Sequence, residues 1–170
     1  VSRRTDKGTV FRVDARLRPD GEKGLLVNTL AAYEEYYRQR AQLWEIQSLT
    51  RVRAVAGDME VGRRFQDLAA TLTDFSKVGQ ASRLPRERKG LGKRSVCPTL
   101  PLCVTPDWKQ EIHQMRMRIE KERTPAGKDE LAIKTGNGGL MDAEFIAQAL
   151  CLEHGWQEAH TLRALERARD

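Results

Sequence analysis

Residues 9–18, Thr-Val-Phe-Arg-Val-Asp-Ala-Arg-Leu-Arg, are β-branched and aromatic at the start and then alternate apolar and charged side chains with a period of two, the pattern of a half-buried strand. Val13, Ala15 and Leu17 share one face, and Arg12, Asp14, Arg16 and Arg18 the other. Arg18-Pro19-Asp20-Gly21 then supplies turn chemistry, because Pro19 fixes φ and Gly21 permits a reversal, so Leu25-Leu26-Val27 is expected to return as a short second strand. From Thr29 the apolar spacing lengthens to three and four: Leu30, Tyr33, Tyr37, Ala41 and Trp44 form one stripe. With Asn28 or Thr29 as N-cap and Gly57 as stop, this predicts one long helix reaching Ala56. Asp58 caps a second helix whose stripe is Val61, Phe65, Leu68, Leu72 and Phe75. Thr105-Pro106 opens a third, with Trp108, Ile112, Met115 and Ile119 on its buried face, which ends before Pro125. A short extended piece, Leu131 to Lys134, and a glycine turn at 136–139 lead to a fourth helix from Met141 to His154, stopped by Gly155. A fifth runs from Trp156 to Asp170.

The expected architecture is mainly α: a bundle of about five helices over residues 29–170, preceded by a β-hairpin over residues 1–28. A Pro- and Gly-containing loop at 76–104 interrupts the helices. With 39% hydrophobic and 32% charged residues in 170, the chain suffices for one modest core. No apolar run approaches the roughly 18–20 residues that span a bilayer, and no apolar signal core follows Val1, which points to a cytoplasmic protein excised from a longer one.

Cys97, Cys103 and Cys151 form no CxxC pair, so they read as structural thiols. Between Ser76 and Ser95, seven basic residues face one acid, which accounts for the whole net charge of +6. This tract lacks the aromatic side chains that stack bases, which argues against nucleic acid as a partner and leaves a basic nucleic-acid-binding helical domain as a third reading only.

Three constellations carry candidate chemistry. Asp14 between Arg12 and Arg16 suits metal-assisted nucleotidyl transfer, the acid holding Mg²⁺ and the arginines neutralising phosphate; it equally suits a solvated strand face of mixed charge. Trp44-Glu45-x-Gln47-x3-Arg51-x-Arg53 places arginines where they bind triphosphate or form a salt-bridged outer face. Lys134-Thr-Gly-Asn-Gly-Gly-Leu-Met-Asp-Ala-Glu is a glycine turn into a helix, suited to an anion or simply to a tight entry with acids at the positive end of the helix dipole. His113, His154 and His160 have no spacing for metal or triad chemistry.

Taken together, Gly8 to Gly24, Tyr36-Tyr37, Trp44 to Asp58 and Lys134 to Gln148 resemble the glutamine synthetase adenylyltransferase family, in the same order. The likeness spans residues 8–75 and 107–155 and is closer to the adenylylating half, through Asp14-Ala-Arg-Leu-Arg-Pro, Trp44-Glu-Ile-Gln and Gly139-Leu-Met-Asp-Ala-Glu. The resemblance implies two similar nucleotidyltransferase halves, each a polymerase-β-like catalytic domain followed by a helical domain. One half transfers AMP from ATP to a tyrosine of glutamine synthetase and the other removes it. In this resemblance the N-terminal hairpin is a remnant of a catalytic domain, and Asp14 is the third metal-binding carboxylate. The first two belong to an upstream Asp-x-Asp strand after a Gly-Ser turn, and neither is present here. Arg16 and Arg18 are the implied phosphate contacts, with Arg51 and Arg53 behind them. Mg²⁺ is the implied cofactor and ATP the substrate; glutamine synthetase and the PII signalling protein are the implied partners. The chain alone is expected to be inactive, and an alternative is a non-catalytic docking module for glutamine synthetase or PII. An open hairpin edge would also favour homodimers. Size-exclusion chromatography with and without residues 1–28 checks this: a dimer that becomes a monomer on truncation is expected, and a monomer in both cases counts against pairing through the hairpin.

Overall fold

In a computed structural model, residues 8, 18–78, 100–124, 127 and 132–169 are described. The expected strand over 9–17 with Asp14 and Arg16, most of the basic tract, Cys97 and Leu131 lie outside the described residues. Among the described residues the regular elements are six α-helices and two short 3-10 turns, Gly21–Lys23 and Leu49–Arg51. The helices are α1 (Leu30–Gln39), α2 (Leu43–Ser48), α3 (Met59–Thr73), α4 (Trp108–Arg123), α5 (Leu140–His154) and α6 (Thr161–Arg169).

Helix α3 forms where cap and periodicity agree, and α5 ends where a glycine stops it. Asp58 Oδ1 accepts from the backbone N–H of Glu60 at 2.8 Å and of Val61 at 3.2 Å, which satisfies donors that the first turn leaves open. The α3 stripe then sinks into the core along its length: Phe65 and Leu68 are partly buried, Leu72 is fully buried and Phe75 nearly so. Gly155 ends α5 in the left-handed region at φ 65°, donating back to Leu152.

The expected single helix over 29–56 is broken, so six helices replace five. Thr29 caps α1, its Oγ1 accepting from Ala32 N at 3.2 Å. At the other end the N–H groups of both Arg40 and Ala41 bond to Tyr36 O, which closes α1. Gln42 is extended and starts α2 with a capping box: its backbone N–H donates to Glu45 Oε2 at 2.8 Å, and its side chain accepts from the Glu45 backbone. The break rotates the buried face. Leu43, Ile46 and Leu49 turn inward, whereas Trp44, assigned to the buried stripe by a continuous helix, is 40% exposed. After the 3-10 turn the chain runs extended to Gly57, and Ala54 lies so close to α3 that a Cβ on Gly62 would stand 2.5 Å from the Ala54 methyl.

Four further expectations are corrected. Leu25, Leu26 and Val27 are irregular and exposed, not a return strand: Arg18, which would have led into that hairpin, instead folds over its own turn. Helix α4 starts at Trp108 with Asp107 at its cap, and Thr105 accepts the Trp108 N–H in the preceding turn. Residues 156–160 have no regular structure, so α6 begins at Thr161, and Ile133 to Thr135 form a turn where an extended piece was expected.

The core brings these elements together. Tyr36, Tyr37, Ile46 and Leu49 pack with Leu72, Phe75, Trp108, Ile112 and Leu152. Edge-to-face contacts join Tyr33 to Phe65 at 5.2 Å and Phe75 to Trp108 at 5.2 Å, adding directional packing to area burial. Phe75 N donates to Leu152 O and Leu102 N to Arg38 O, both at 2.9 Å, so the end of α3 is fastened to α5 and the 100–104 segment to α1. Helix α6 closes a small second cluster of Ala147, Cys151 and Ala164 with Trp156. Because Ile46 is fully buried and Trp44 is not, Ile46→Ala is expected to cost about 2–5 kcal/mol by urea denaturation, and Trp44→Ala less despite its size. A larger loss for Trp44→Ala would contradict the break between α1 and α2.

Candidate functional site

The sequence supplies two polar motifs separated by about a hundred residues, and folding makes them one surface. Gln47 Nε2 donates to Gln148 Oε1 at 2.7 Å across 101 residues of chain. One turn further along, Arg51 Nη1 lies 3.4 Å from Glu144 Oε1, with both side chains about 40% exposed. Helix α2 and its 3-10 extension therefore lie along α5, and the Trp44-Glu-Ile-Gln and Asp142-Ala-Glu motifs face each other. Gln47 is itself buried, and Thr50 Oγ1 donates to Gln47 O at 2.8 Å, so the side-chain amide is presented to α5 from a fixed backbone.

Below this surface, Glu45 is buried and accepts from the Tyr36 hydroxyl at 2.7 Å through Oε1 and from Gln42 N at 2.8 Å through Oε2. Burial and then the Glu45 carboxylate push the Tyr36 phenol up to about 12, while contact with the Asp20 backbone pulls it the other way. Tyr37 is raised further, chiefly by burial and next by Tyr33. Both phenols stay protonated donors at neutral pH.

The glycine turn is held by Arg116, whose side chain is only 4% exposed. Its Nη2 donates to Gly136 O at 3.0 Å, and its Nε and Nη1 stand 2.6 Å from Asp142 Oδ1 and 3.1 Å from Glu120 Oε2. The two carboxylate contacts lack aligned hydrogen-bond geometry, so they act as close charge pairs. Asp142 also accepts from Gly138 N at 2.6 Å. A Cβ on Gly139 would meet the carbonyls of Ile133, Gly136 and Lys134 at 2.7–3.1 Å, so the turn needs glycine there. The amide of Gly138 is thus directed at Asp142, the tight-entry alternative for this motif. Arg116 went unnoticed in the sequence, although its place four residues after Ile112 and four before Glu120 marks a basic residue on the buried face with an acid in reach.

Of the arginines assigned to phosphate, Arg18 sits over its own turn, Nη2 donating to Glu22 O at 3.2 Å and Nε to Gly24 O at 3.4 Å. Arg51 pairs with Glu144 as described, and Arg53 is exposed on the extended segment. Asp14 and Arg16 lie outside the described residues. No group of three or more His, Cys, Asp or Glu side chains able to hold a metal comes together among the described residues, so the Mg²⁺ assignment rests on the sequence around Asp14. Cys151 is buried and Cys103 half-buried; both are free, and burial raises Cys103 to about 11 and Cys151 above the usual thiol range. No described helix is long and apolar enough to cross a membrane.

The helical core holds its two motifs, residues 44–53 and 134–148, together on one surface of a mainly helical unit. A glutamate-ammonia ligase adenylyltransferase model matches residues 1–68, and a GlnD PII-uridylyltransferase model matches residues 107–169. The chain belongs to the glutamine synthetase adenylyltransferase family. It is 42% identical over 147 residues to a bifunctional glutamine synthetase adenylyltransferase/adenylyl-removing enzyme of Streptomyces avermitilis, covering 86% of this chain and 12% of that protein. Proteins of the same name from Mycobacterium marinum and Streptomyces coelicolor are 42% and 40% identical, over 91% and 93% of this chain and 13% and 14% of their own length. The chain therefore spans about one eighth of the length of the curated relatives it matches.

Because Arg116 is buried among carboxylates, Arg116→Ala is expected to destabilise the chain by about 3–5 kcal/mol in chemical denaturation, leaving Asp142 and Glu120 without their cation. A loss below about 1 kcal/mol would show that the glycine turn is held by other means.

Proposed function

We propose that this chain is a part, inactive alone, of a bifunctional nucleotidyltransferase, and belongs to the half that transfers AMP from ATP to a tyrosine of glutamine synthetase. The observation that carries the proposal is the pairing of Gln47 with Gln148 and of Arg51 with Glu144, which unites two motifs that the resemblance takes from one helical domain. The 42% identity over most of the chain supports the same reading. In it, residues 9–18 are a strand of a polymerase-β-like catalytic domain. Asp14 contributes one carboxylate to a Mg²⁺ site whose other ligands lie outside this sequence, and Mg²⁺ when bound would stabilise the departing pyrophosphate. Arg16, with Arg18 beside it, offsets charge on the ATP phosphates. Arg51 and Arg53 serve the helical surface more than the nucleotide, since Arg51 is paired with Glu144. PII is the proposed regulatory partner, and the match of residues 107–169 to a PII-uridylyltransferase model favours a helical module common to nucleotidyltransferases of nitrogen control.

In the full-length enzyme, Asp14→Ala is expected to lower AMP transfer to glutamine synthetase by at least about 100-fold, since a lost metal ligand removes several kcal/mol of transition-state stabilisation. The chain alone should transfer none. Undiminished transfer by Asp14→Ala would sink the catalytic reading. If the chain alone bound glutamine synthetase or PII tightly but not Mg²⁺-ATP, the docking reading would replace it.

A further inference from the structure

Two features set the turn after Arg18 apart from an ordinary connection. It is closed tightly on itself: Gly21 N donates to Arg18 O at 2.9 Å, Gly24 N to Gly21 O at 3.2 Å, and a Cβ on Gly24 would stand 1.9 Å from Pro19 O. Arg18 spans the same turn with its guanidinium, so residues 18–24 behave as one unit. Second, its Asp20 takes the left-handed backbone at φ 61°, a conformation that Asp tolerates better than most residues. Its carboxylate meets Arg40, with Oδ1 2.8 Å from Nη1 and Oδ2 3.5 Å from Nη2.

Arg40 is itself well fixed. It is the C-cap of α1, its N–H donates to Tyr36 O at 2.8 Å, and its guanidinium lies over the Tyr36 ring, 5.1 Å from the centroid. Tyr36 in turn is tied through its hydroxyl to buried Glu45 at the head of α2. An unbroken series of contacts thus runs from the turn to the α1–α2 junction: Asp20, Arg40, Tyr36, Glu45 and the Gln42 backbone.

We propose that Asp20 and Arg40 form a latch that sets where Arg18 is held relative to the helical core, and so act as positioning residues for nucleotide binding. The proposal rests on the adenylyltransferase reading above. Stability does not account for the pair, because side chains 50% and 57% exposed form ion pairs worth only about 0.2–1 kcal/mol. What the near-forked geometry supplies is direction: two parallel contacts resist rotation as a single contact does not. A turn closed on itself transmits that direction to Arg18, whereas a loose loop would dissipate it.

The test uses the full-length enzyme with Asp20→Asn, which keeps a residue tolerant of the left-handed backbone, and with Arg40→Gln, Arg40→Lys and the Asp20→Asn/Arg40→Gln double variant. The KM for Mg²⁺-ATP is expected to rise up to roughly fivefold in each charge-removing variant, with kcat nearly unchanged. The thermal midpoint should stay within about 2 °C of the parent. Arg40→Lys should restore part of the loss, and the double variant should be no worse than either single one. Hydrogen exchange at the Gly21 and Gly24 amides should quicken in Asp20→Asn and Arg40→Gln. Unchanged KM together with unchanged exchange would overturn the latch, as would additive effects in the double variant. A parent enzyme that transfers no AMP, or a fully active Asp14→Ala enzyme, would instead overturn the adenylyltransferase reading. The exchange measurement would still decide whether the latch exists.

Discussion

A carboxylate taken out of water must find donors, and the arrangement Glu45 finds organises this molecule. Its two oxygens accept from the Tyr36 hydroxyl and the Gln42 amide, one on each side of the point where a continuous helix would have passed. The chain bends there because the bend satisfies Glu45. The bend turns Leu43, Ile46 and Leu49 toward α3, α4 and α5 and leaves Gln47 directed at Gln148. Without that junction, neither the pairing of the two motifs nor the platform beneath Arg40 would exist.

Arg116 solves the reciprocal problem on the other side of α5. A buried guanidinium is tolerated because Glu120, Asp142 and the Gly136 carbonyl surround it, and that cluster in turn fixes the glycine turn from which α5 starts. Helix α5 is therefore held near its N-terminus by charge, near its middle by a side-chain amide pair and at its end by the Leu152 carbonyl and the Gly155 cap. Such multiple fixing suits an element that packs against α2, α4 and α6.

What was legible in the sequence follows from how local each determinant is. Helix α3 could be read almost residue by residue, since Asp58 caps it and its stripe repeats at three and four. The same holds for the end of α5 at Gly155. The break after Arg40 was hidden because the apolar stripe runs on through Ala41 and Trp44, and glutamine is a weak N-cap signal; the Gln42-x-x-Glu45 box was its only local trace. Leu25-Leu26-Val27 has strand composition, yet composition alone supplies no partner ladder, and the three side chains lie exposed. As for the candidate site, both of its motifs stood out in the sequence, but no periodicity could indicate that Gln47 meets Gln148, or that Arg40 reaches back to Asp20. Long-range pairings depend on the whole packed core.

The Gln47 to Gln148 contact closes a loop of 101 residues, and loop closure has a shallow dependence on length. Doubling the chain between two joined points adds only about 0.6 kcal/mol of entropic cost. Insertions and deletions between Val78 and Leu100 should therefore accumulate among homologues almost without a closure penalty, whereas a single residue added between Gln39 and Leu43 would misplace every side chain that follows it in α2. Evolutionary freedom and constraint in this chain are set by where its ends are pinned, not by how much sequence lies between them.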